Sequence, residues 1–381
     1  MDARTQQAIE LMTCFAERTD IACERSPRRT LWTDAFAVAN LLGLARAAGD
    51  ARYAELALQL VRCVHQVLGR HRPDDARSRW LSADASPSHP TRGGLRIGKP
   101  LPERAPGAPL DPRLEWDRDG QYFHYLTRWM HALDLLTRRL GEPMFNEWAR
   151  ELAAVAHRAF VVPGPAGAPH RMVWKMSIDL TRVLVPSMGQ HDPIDGYITC
   201  RQLDATAVAT GRPPVLHRQR DDFRRLVDPA ALATGDPLGI GGLLVDAHRL
   251  DQLGGDDDLV VALLVAALAG LRGYLEQAEL EGPANRRLAF RELGLAIGLA
   301  AAARMRHSGS RRRDDLVAAV GAHVPTGAAI EVFWLEPAHR ASATWREHLD
   351  INDVMLATRL VPDGFLDLGA SAPGDAPAVF C

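Results

Sequence analysis

The sequence contains almost no lysine. Of its 45 basic residues, all except Lys99 and Lys175 are arginine. The formal net charge is -2 at pH 7, so the chain carries no broad basic field, and neither a nucleic acid nor an anionic membrane is expected as a partner. The excess of arginine, together with the many alanines, is typical of proteins from GC-rich bacterial genomes.

The cysteines are few, and their spacing fits neither a disulfide framework nor a zinc site. The five are Cys14, Cys23, Cys63, Cys200 and Cys381. An odd, scattered set without a C-x-x-C pair predicts reduced thiols in a cytosol.

Long apolar segments and a secretion signal are also missing. The N-terminal segment has the pattern of an amphipathic helix, without the basic stretch and apolar stretch of a signal peptide. The apolar runs that begin at Leu259 and Leu293 are shorter than a bilayer requires and are typical of buried helices. These features together predict a cytoplasmic protein without a membrane partner.

Helical periodicity is present along most of the chain, whereas strand-like alternation is scarce. The short stretch VFWLE, which follows Glu331, is the best strand candidate. Apolar residues three and four apart predict twelve helical segments, near residues 5–23, 33–48, 50–70, 119–140, 143–160, 193–209, 218–228, 239–253, 257–280, 286–306, 311–322 and 344–360.

Several of these helices are joined by similar short turns. The stretches that begin at Arg46, Arg138 and Asp251 each place a glycine and an acidic residue between two helices. Glycine ends a helix in the left-handed conformation, and an acidic residue favours the start of the next helix. Short turns make antiparallel neighbours, so the pattern predicts helical hairpins that stack in a solenoid or close in a ring.

Twelve helices in six hairpins resemble the six-hairpin glycosidase superfamily. The stretches EWDRDGQYFHYLTRWMHALD, from Glu115, and KMSIDLTRVLVPSMGQHDPIDG, from Lys175, are similar to a bacterial branch of that group. The resemblance implies an all-α (α/α)6 toroid that forms a single domain over residues 1–381, with a carbohydrate in its central cavity. A linear helical solenoid is the alternative fold.

Two irregular stretches, near residues 73–114 and 161–191, interrupt the helical pattern. Loops of this length are usually functional or disordered. The first contains GGLRIGKP, from Gly93, which lacks the hydroxyl residue and the following helix of a phosphate-binding loop. The second is apolar, so we expect it to be ordered and packed, with Asp179 paired to an arginine or to backbone amides.

Tryptophans and carboxylates recur at the starts of four helices. In a toroid the loops before the inner helices line the mouth of the cavity, and aromatic rings beside carboxylates are typical of a sugar site. The candidate residues are Trp32 and Asp34; Glu115, Trp116, Asp117 and Asp119; Trp174, Asp179, His191, Asp192 and Asp195; and Trp334, Glu336, His339 and Trp345.

One polar stripe accompanies these clusters. Asp117, Gln121, His124, Arg128 and His131 are spaced by three and four residues, which predicts one face of one helix. We expect Asp117, Gln121 and His124 to line the cavity. Asp119 and Asp192 also fit an ordinary role as helix caps, and that interpretation stays open.

The sequence leaves three functions open. The first is hydrolysis of a glycosidic bond by two of the five aspartates Asp117, Asp119, Asp179, Asp192 and Asp195. The second is sugar epimerisation or isomerisation by a histidine pair, formed by His124 with His191, His339 or His348. The third is a noncatalytic sugar-binding or scaffold protein. No His, Asp or Cys cluster has metal-ligand spacing, so no metal or cofactor is expected, and the oligomeric state is open.

Overall fold

Helices make up most of the chain. The computed structural model describes residues 1–25, 27–164, 170–277 and 280–369, and it contains 63% helix and 5% strand. The helices are α1 (Ala3–Thr19), α2 (Leu31–Ala48), α3 (Arg52–Leu68), α4 (Pro112–Glu115), α5 (Phe123–Leu140), α6 (Pro143–Phe160), α7 (Asp192–Ala209), α8 (His217–Leu226), α9 (Pro237–Leu253), α10 (Asp257–Gln277), α11 (Ala289–Ala302), α12 (Arg311–Gly321), α13 (Val324–Leu335), α14 (Pro337–Arg340), α15 (Ala343–Glu347), α16 (Leu349–Leu360) and α17 (Asp363–Leu366).

The all-α class is confirmed, and each of the twelve predicted segments contains a helix. Within the predicted segment 257–280, residues 278 and 279 lie outside the described residues. The segment 344–360 is divided into α15 and α16 at His348. The strand prediction for VFWLE is wrong, because these residues belong to the end of α13. Closure of the hairpins into one ring and one domain stays a prediction.

The chain divides into two compact units. The C-terminal unit comprises Met1–Phe15, Gly43–Asp50 and Asp228–Leu368. The central unit comprises Ala16–Leu42, Ala51–Val227 and, at the end of the described chain, Gly369.

In the C-terminal unit, α9 and α11 pack closely through glycines. A Cβ atom on Gly298 would lie 2.5 Å from the Gly241 Cα, and one on Gly241 would lie 2.1 Å from the Gly294 carbonyl oxygen. The absence of side chains at these three positions allows the two backbones to approach each other. Against α11, the buried Trp334 of α13 donates from Nε1 to Glu292 at 2.8 Å. This tertiary contact explains why the VFWLE stretch is helical despite its strand-like composition.

Among the described residues, two helical stretches are long and apolar enough to cross a membrane by length and composition alone. They are Asp257–Gln277 and Arg311–Leu335. The apolar run from Leu259 was expected to be too short to cross a bilayer. The helix Asp257–Gln277 that contains it corrects this expectation, because it has 21 residues. Half of its apolar window is buried within the fold, which is also typical of a core helix.

The central unit contains the clearest hairpin, formed by α5 and α6. Gly141, with φ 75°, ends α5 in the left-handed conformation, and its N–H donates to the Thr137 carbonyl. Pro143 then begins α6, where a missing N–H costs nothing. The predicted glycine-containing turn is therefore confirmed here.

Short strands fill the second irregular stretch of the central unit. Strand β1 (Gln121–Tyr122), β4 (Lys175–Met176) and β5 (Val183–Val185) form an antiparallel sheet in the order β1-β4-β5, and β2 (Val161–Val162) pairs with β3 (Arg171–Met172). Met172, Val173, Met176, Ile178 and Leu184 are buried. The prediction that this apolar stretch is ordered and packed is confirmed for its described part.

The expectation that the cysteines are all reduced is wrong. Cys23, in the loop after α1, forms a disulfide with the buried Cys63 of α3, and their Cα atoms are 5.6 Å apart. The two residues are separated by 40 positions, so only the folded chain brings them together. Cys14 is free and exposed, Cys200 is free and buried, and Cys381 lies outside the described residues.

Candidate functional site

The first turns of α5 and α7 face each other through polar side chains. His124 Nδ1 lies 3.9 Å from Asp192 Oδ1. One helical turn further along, Arg128 Nη1 lies 3.2 Å from Asp195 Oδ1, and Thr127 Oγ1 donates to Asp195 Oδ2 at 3.2 Å. The spacings of three and four residues place each set on one face of its helix. Two of the predicted carboxylates, Asp192 and Asp195, are thus side by side.

The carboxyl group of Asp192 is buried, and its surroundings favour the protonated form. Burial raises its pKa to about 8, and the nearby charge of Asp195 adds to the rise. The Gly189 N–H and the Arg128 charge oppose the rise only in part. Among the described residues, none makes a hydrogen bond to Asp192 Oδ2. Burial and the neighbouring charge together favour the neutral carboxylic acid over the carboxylate.

A glycine gives the Asp192 carboxyl the space that it needs. A Cβ atom on Gly189 would lie 2.3 Å from Asp192 Oδ2 and 2.7 Å from Oδ1. The Gly189 carbonyl accepts the Asp192 backbone N–H at 3.2 Å. Gly189, three positions before α7, therefore leaves room for the acid. Helix α7 begins at Asp192 itself, with His191 in the capping position and without a side-chain cap.

The ring of His124 is neutral and only partly covered. Burial lowers its pKa to about 4, against the opposing charge of Asp195, while 30% of the side chain stays exposed. The ring stacks on Tyr122 and Trp174, with centroids at 5.4 and 6.3 Å. At neutral pH the His124–Asp192 contact is therefore between two uncharged groups.

His124 belongs to a group of rings, the aromatic cluster, which also contains Trp116, Tyr122, Tyr125 and Trp174. Tyr122 stacks on Trp174 with centroids at 5.0 Å, and Trp116 meets Trp174 edge to face at 5.2 Å. Trp116 is 53% exposed. The cluster therefore offers an accessible aromatic surface next to the buried acid.

Asp119 has a different environment from Asp192. Its Oδ1 accepts the backbone N–H groups of Gly98 and Gly120, both at 3.0 Å. Its Oδ2 accepts from Arg96 and lies 3.4 Å from Arg72 Nη1. These contacts hold the first irregular stretch in place. The interpretation of Asp119 as a helix cap is wrong, because α5 begins only at Phe123.

Gln121 is likewise held by backbone groups. Its Oε1 accepts the Leu95 N–H at 2.8 Å, and its Nε2 donates to the carbonyls of Gly93 and Ile178 at 3.0 and 2.8 Å. Because Gln121 lies in β1, it does not share a helix face with His124, and the same is true of the exposed Asp117. The predicted stripe is correct only from His124 onwards.

Asp179 stabilises the turn between β4 and β5. It accepts from Ser177 Oγ at 2.7 Å, from Thr181 Oγ1 at 2.6 Å and from Arg77 Nη1 at 2.8 Å. Burial alone would raise its pKa, but the hydrogen bonds from Thr181 and Ser177 outweigh that effect and lower it to about 2. The predicted pairing with an arginine is confirmed.

The remaining candidates of the central unit lie in varied surroundings. Trp32 is buried against Phe36, with ring centroids at 4.3 Å, and Asp34 lies 3.5 Å from Arg29 Nη1. Glu115 is buried and paired with Lys175. His191 is half-buried just before α7.

Four candidates belong to the C-terminal unit, namely Trp334, Glu336, His339 and Trp345. Trp345 is buried, and Glu336 follows the last residue of α13. Trp334 is buried and bonded to Glu292. His339 stacks on Phe333 with centroids at 3.7 Å, and its Nδ1 lies 2.7 Å from the Phe333 carbonyl oxygen.

The C-terminal unit also contains two adjoining hollows that sequence reasoning did not identify. Their volumes are about 390 and 240 Å³, and Tyr274 lines both. Arg287, at the second hollow, is held by a buried ion pair with Glu292 at 2.7 Å. Among the described residues, no group of three or more His, Cys, Asp or Glu is placed to hold a metal ion.

Sequence reasoning also missed several residues of the α5–α7 site. The residues around Thr127 and Gly189 in the sequence do not mark either one as part of a site, since the importance of each depends on a side chain that it contacts in the fold. Tyr122 and Tyr125 lie within the aromatic-rich stretch from Glu115, which is a signal that was available.

Comparison with known proteins adds a distant likeness in fold. No family model matches the chain, and no curated protein matches it. The chain is similar to the solved structure of an unsaturated glucuronyl hydrolase from Bacillus sp. GL1, which is responsible for the degradation of glycosaminoglycan. The match covers 94% of this chain and 96% of that one, with 14% identity and a TM-score of 0.39. A likeness this distant assigns no residue and no activity.

Proposed function

We propose that this protein is a carbohydrate-active enzyme that hydrolyses a glycosidic bond, with Asp192 as the general acid. One observation carries the proposal. A buried carboxyl group whose pKa is raised to about 8 lies 3.9 Å from the partly exposed His124, whose ring stacks on Trp174. Raised carboxyl pKa values of this kind are concentrated at catalytic sites.

The two aspartates have complementary roles in this reaction. Asp192 gives its proton to the glycosidic oxygen, and the bond between that oxygen and the anomeric carbon breaks. The Asp195 carboxylate forms a bond to the anomeric carbon as that bond breaks, and a water molecule then replaces Asp195 at this carbon while its proton returns to Asp192. Side chains three positions apart on a helix have Cβ atoms about 5–6 Å apart, which is close to the roughly 5–5.5 Å between the carboxyl groups of glycosidases that react through such a covalent intermediate.

The aromatic cluster supplies the binding surface. Trp116 and Trp174 present ring faces and edges near the acid, and such rings pack on the apolar face of a pyranose. Arg128 and Thr127 hold Asp195 in place, which keeps the second carboxylate oriented.

Assays of a sugar panel with matched variants test the proposal. Asp192→Asn keeps the shape of the side chain but has no acidic proton, so turnover should fall by about 10²–10⁴-fold. Asp195→Asn should also lose turnover. The control is Asp222→Asn, since the Asp222 carboxylate on α8 pairs with His157 at 3.0 Å and with Arg225, and with neither Asp192 nor Asp195. An Asp192→Asn protein with the wild-type rate would rule Asp192 out as the acid.

The same panel separates the other two functions. Epimerised or isomerised sugar without hydrolysis would favour a proton transfer by His124, whose neutral ring can accept a proton. Binding of sugar by the wild-type protein without any conversion would favour a noncatalytic sugar-binding protein.

A further inference from the structure

Lys175 is one of the two lysines in the chain, and its side chain is fully buried. It lies on β4, where it pairs with Tyr122 of β1. Its Nζ donates three hydrogen bonds, to the Glu115 carbonyl oxygen at 2.7 Å, to Glu115 Oε1 at 2.9 Å and to the Arg118 carbonyl oxygen at 2.8 Å.

The chemistry of this position explains why a lysine stands here in an arginine-rich chain. Three acceptors converge on one nitrogen, which matches the three N–H donors of an ammonium group. A guanidinium is a planar fork and does not present three donors from one atom. The Tyr122 ring lies 5.4 Å from the Nζ and adds a cation–π contact.

The hydrogen bonds of Lys175 connect the two segments that contain Trp116 and Trp174. Trp116 directly follows Glu115, and Trp174 directly precedes Lys175. The bonds from Lys175 therefore fix the segment 115–118 against β4. Arg104 holds the other oxygen of the Glu115 carboxylate, with Nε at 3.2 Å from Oε2. Because Trp116 is half-exposed, it has little packing of its own to hold it against Trp174.

We infer that Lys175 is a positioning residue, whose ammonium fixes Trp116 against Trp174 and so forms the sugar-binding face before the ligand arrives. The inference rests on the proposed function, because it assigns that face to a pyranose. A preformed face avoids the loss of side-chain freedom that otherwise weakens binding. Lys175 then affects the binding of sugar and leaves the proton transfer by Asp192 unchanged.

Two kinds of measurement on Lys175→Met and Lys175→Arg test this role. Near-ultraviolet circular dichroism of the ligand-free protein reports the Trp116–Trp174 pair, and both variants should lose part of that signal. With sugar, KM or the dissociation constant should rise by roughly tenfold, equivalent to about 1.4 kcal/mol. The kcat value and the pH at which activity declines should stay near wild type. Lys175→Arg should recover little of the dichroism signal or of the sugar affinity, since arginine keeps the charge but not the three convergent hydrogen bonds.

Lys99→Met is the matched control, because it removes the other lysine. At Lys99 the hydrogen bonds come from the backbone, with its N–H directed to Asp119 and its carbonyl accepting from Arg72, while the side chain interacts with Asp117 and Asp119 through charge alone. This variant should keep the aromatic signal and the affinity for sugar.

The outcomes distinguish this inference from the proposed function. Unchanged dichroism and unchanged affinity in Lys175→Met would overturn the positioning role, even if hydrolysis is established. A wild-type protein that binds sugar without turnover would overturn hydrolysis, whereas the dichroism and the dissociation constants would still decide the role of Lys175. If Lys175→Met does not fold, Glu115→Ala removes one of the three acceptors and leaves Lys175 in place, and unchanged dichroism and affinity in that variant would contradict the inference.

Discussion

Replacing Asp192 with asparagine should stabilise the protein at high pH. The folded protein holds the proton of Asp192 up to about pH 8, whereas the ordinary pKa of the group is 3.8. Between these values, unfolding releases a proton, so the free energy of unfolding falls as the pH rises. The contribution of this proton to the free energy of unfolding is at its maximum below about pH 4. It decreases as the pH rises and is lost when the pH passes about 8.

The size of the effect follows from the pKa shift. Each pH unit in this window changes the free energy of unfolding by about 1.4 kcal/mol, which gives roughly 4–6 kcal/mol over the whole shift as an upper limit. Asparagine does not titrate, but it places a buried amide where hydrogen bonds are scarce, at a cost of about 1–3 kcal/mol. We therefore expect Asp192→Asn to be about 1–4 kcal/mol more stable than wild type at pH 8 and no more stable at pH 4.

Urea unfolding between pH 4 and 8.5 measures this difference, with Asp222→Asn as the control. The informative quantity is the difference in the free energy of unfolding between wild type and Asp192→Asn, followed as a function of pH. Groups that titrate in both proteins contribute equally to the two free energies and cancel in this difference. Parallel curves for the two proteins would refute the reasoning. They would mean that Asp192 is already ionised in the folded state, and it would then lack the proton that a general acid needs.

Three further predictions follow from the central unit. Because the acid must be protonated, hydrolysis should decline as the pH rises through about 8, and a pH profile without that decline would remove Asp192 from the role. Reduction of the Cys23–Cys63 bond, which joins residues 40 positions apart, should lower the free energy of unfolding by about 4 kcal/mol; equal urea midpoints with and without reductant would contradict this. Gly189→Ala should displace the Asp192 carboxyl and lower turnover by roughly tenfold to a hundredfold, and a wild-type rate would show that the carboxyl has room to move.

Local signals account for the parts of the fold that the sequence predicted well. The α5–α6 turn depends on Gly141 and Pro143, whose conformational preferences act within a few residues. The bounds predicted for α6 therefore agree with the structure. The start of α5 was placed four residues early, because Tyr122 stays extended to pair with Lys175. That partner is more than fifty positions away and leaves no mark on the local pattern.

The candidate site shows the same division between local and distant causes. Asp119 and Asp192 both precede helix-like stretches, and local reasoning gave both the role of a cap. In the fold, Asp119 accepts backbone N–H groups that include that of Gly98, 21 positions away. Asp192 instead has a buried Oδ2 without a hydrogen bond, and its Oδ1 lies 3.9 Å from His124 Nδ1. Which aspartate is satisfied and which keeps its proton depends on packing between distant segments.

A second buried aspartate of the same helix pair has a different environment from Asp192. Asp134 lies deeper along α5, and both of its oxygens are occupied: Asn146 Nδ2 donates to Oδ1 at 2.8 Å, and Gln202 Nε2 of α7 donates to Oδ2 at 2.7 Å. Arg138 Nε also donates to Oδ2 at 2.7 Å. Side chains of α5, α6 and α7 together therefore satisfy this buried carboxylate completely. Leaving Asp192 Oδ2 without a hydrogen bond destabilises the fold by about 1–3 kcal/mol. The destabilised carboxyl lies at the end of the two helices that adjoins the aromatic cluster. Such a local loss of stability is expected where an acid takes part in a reaction.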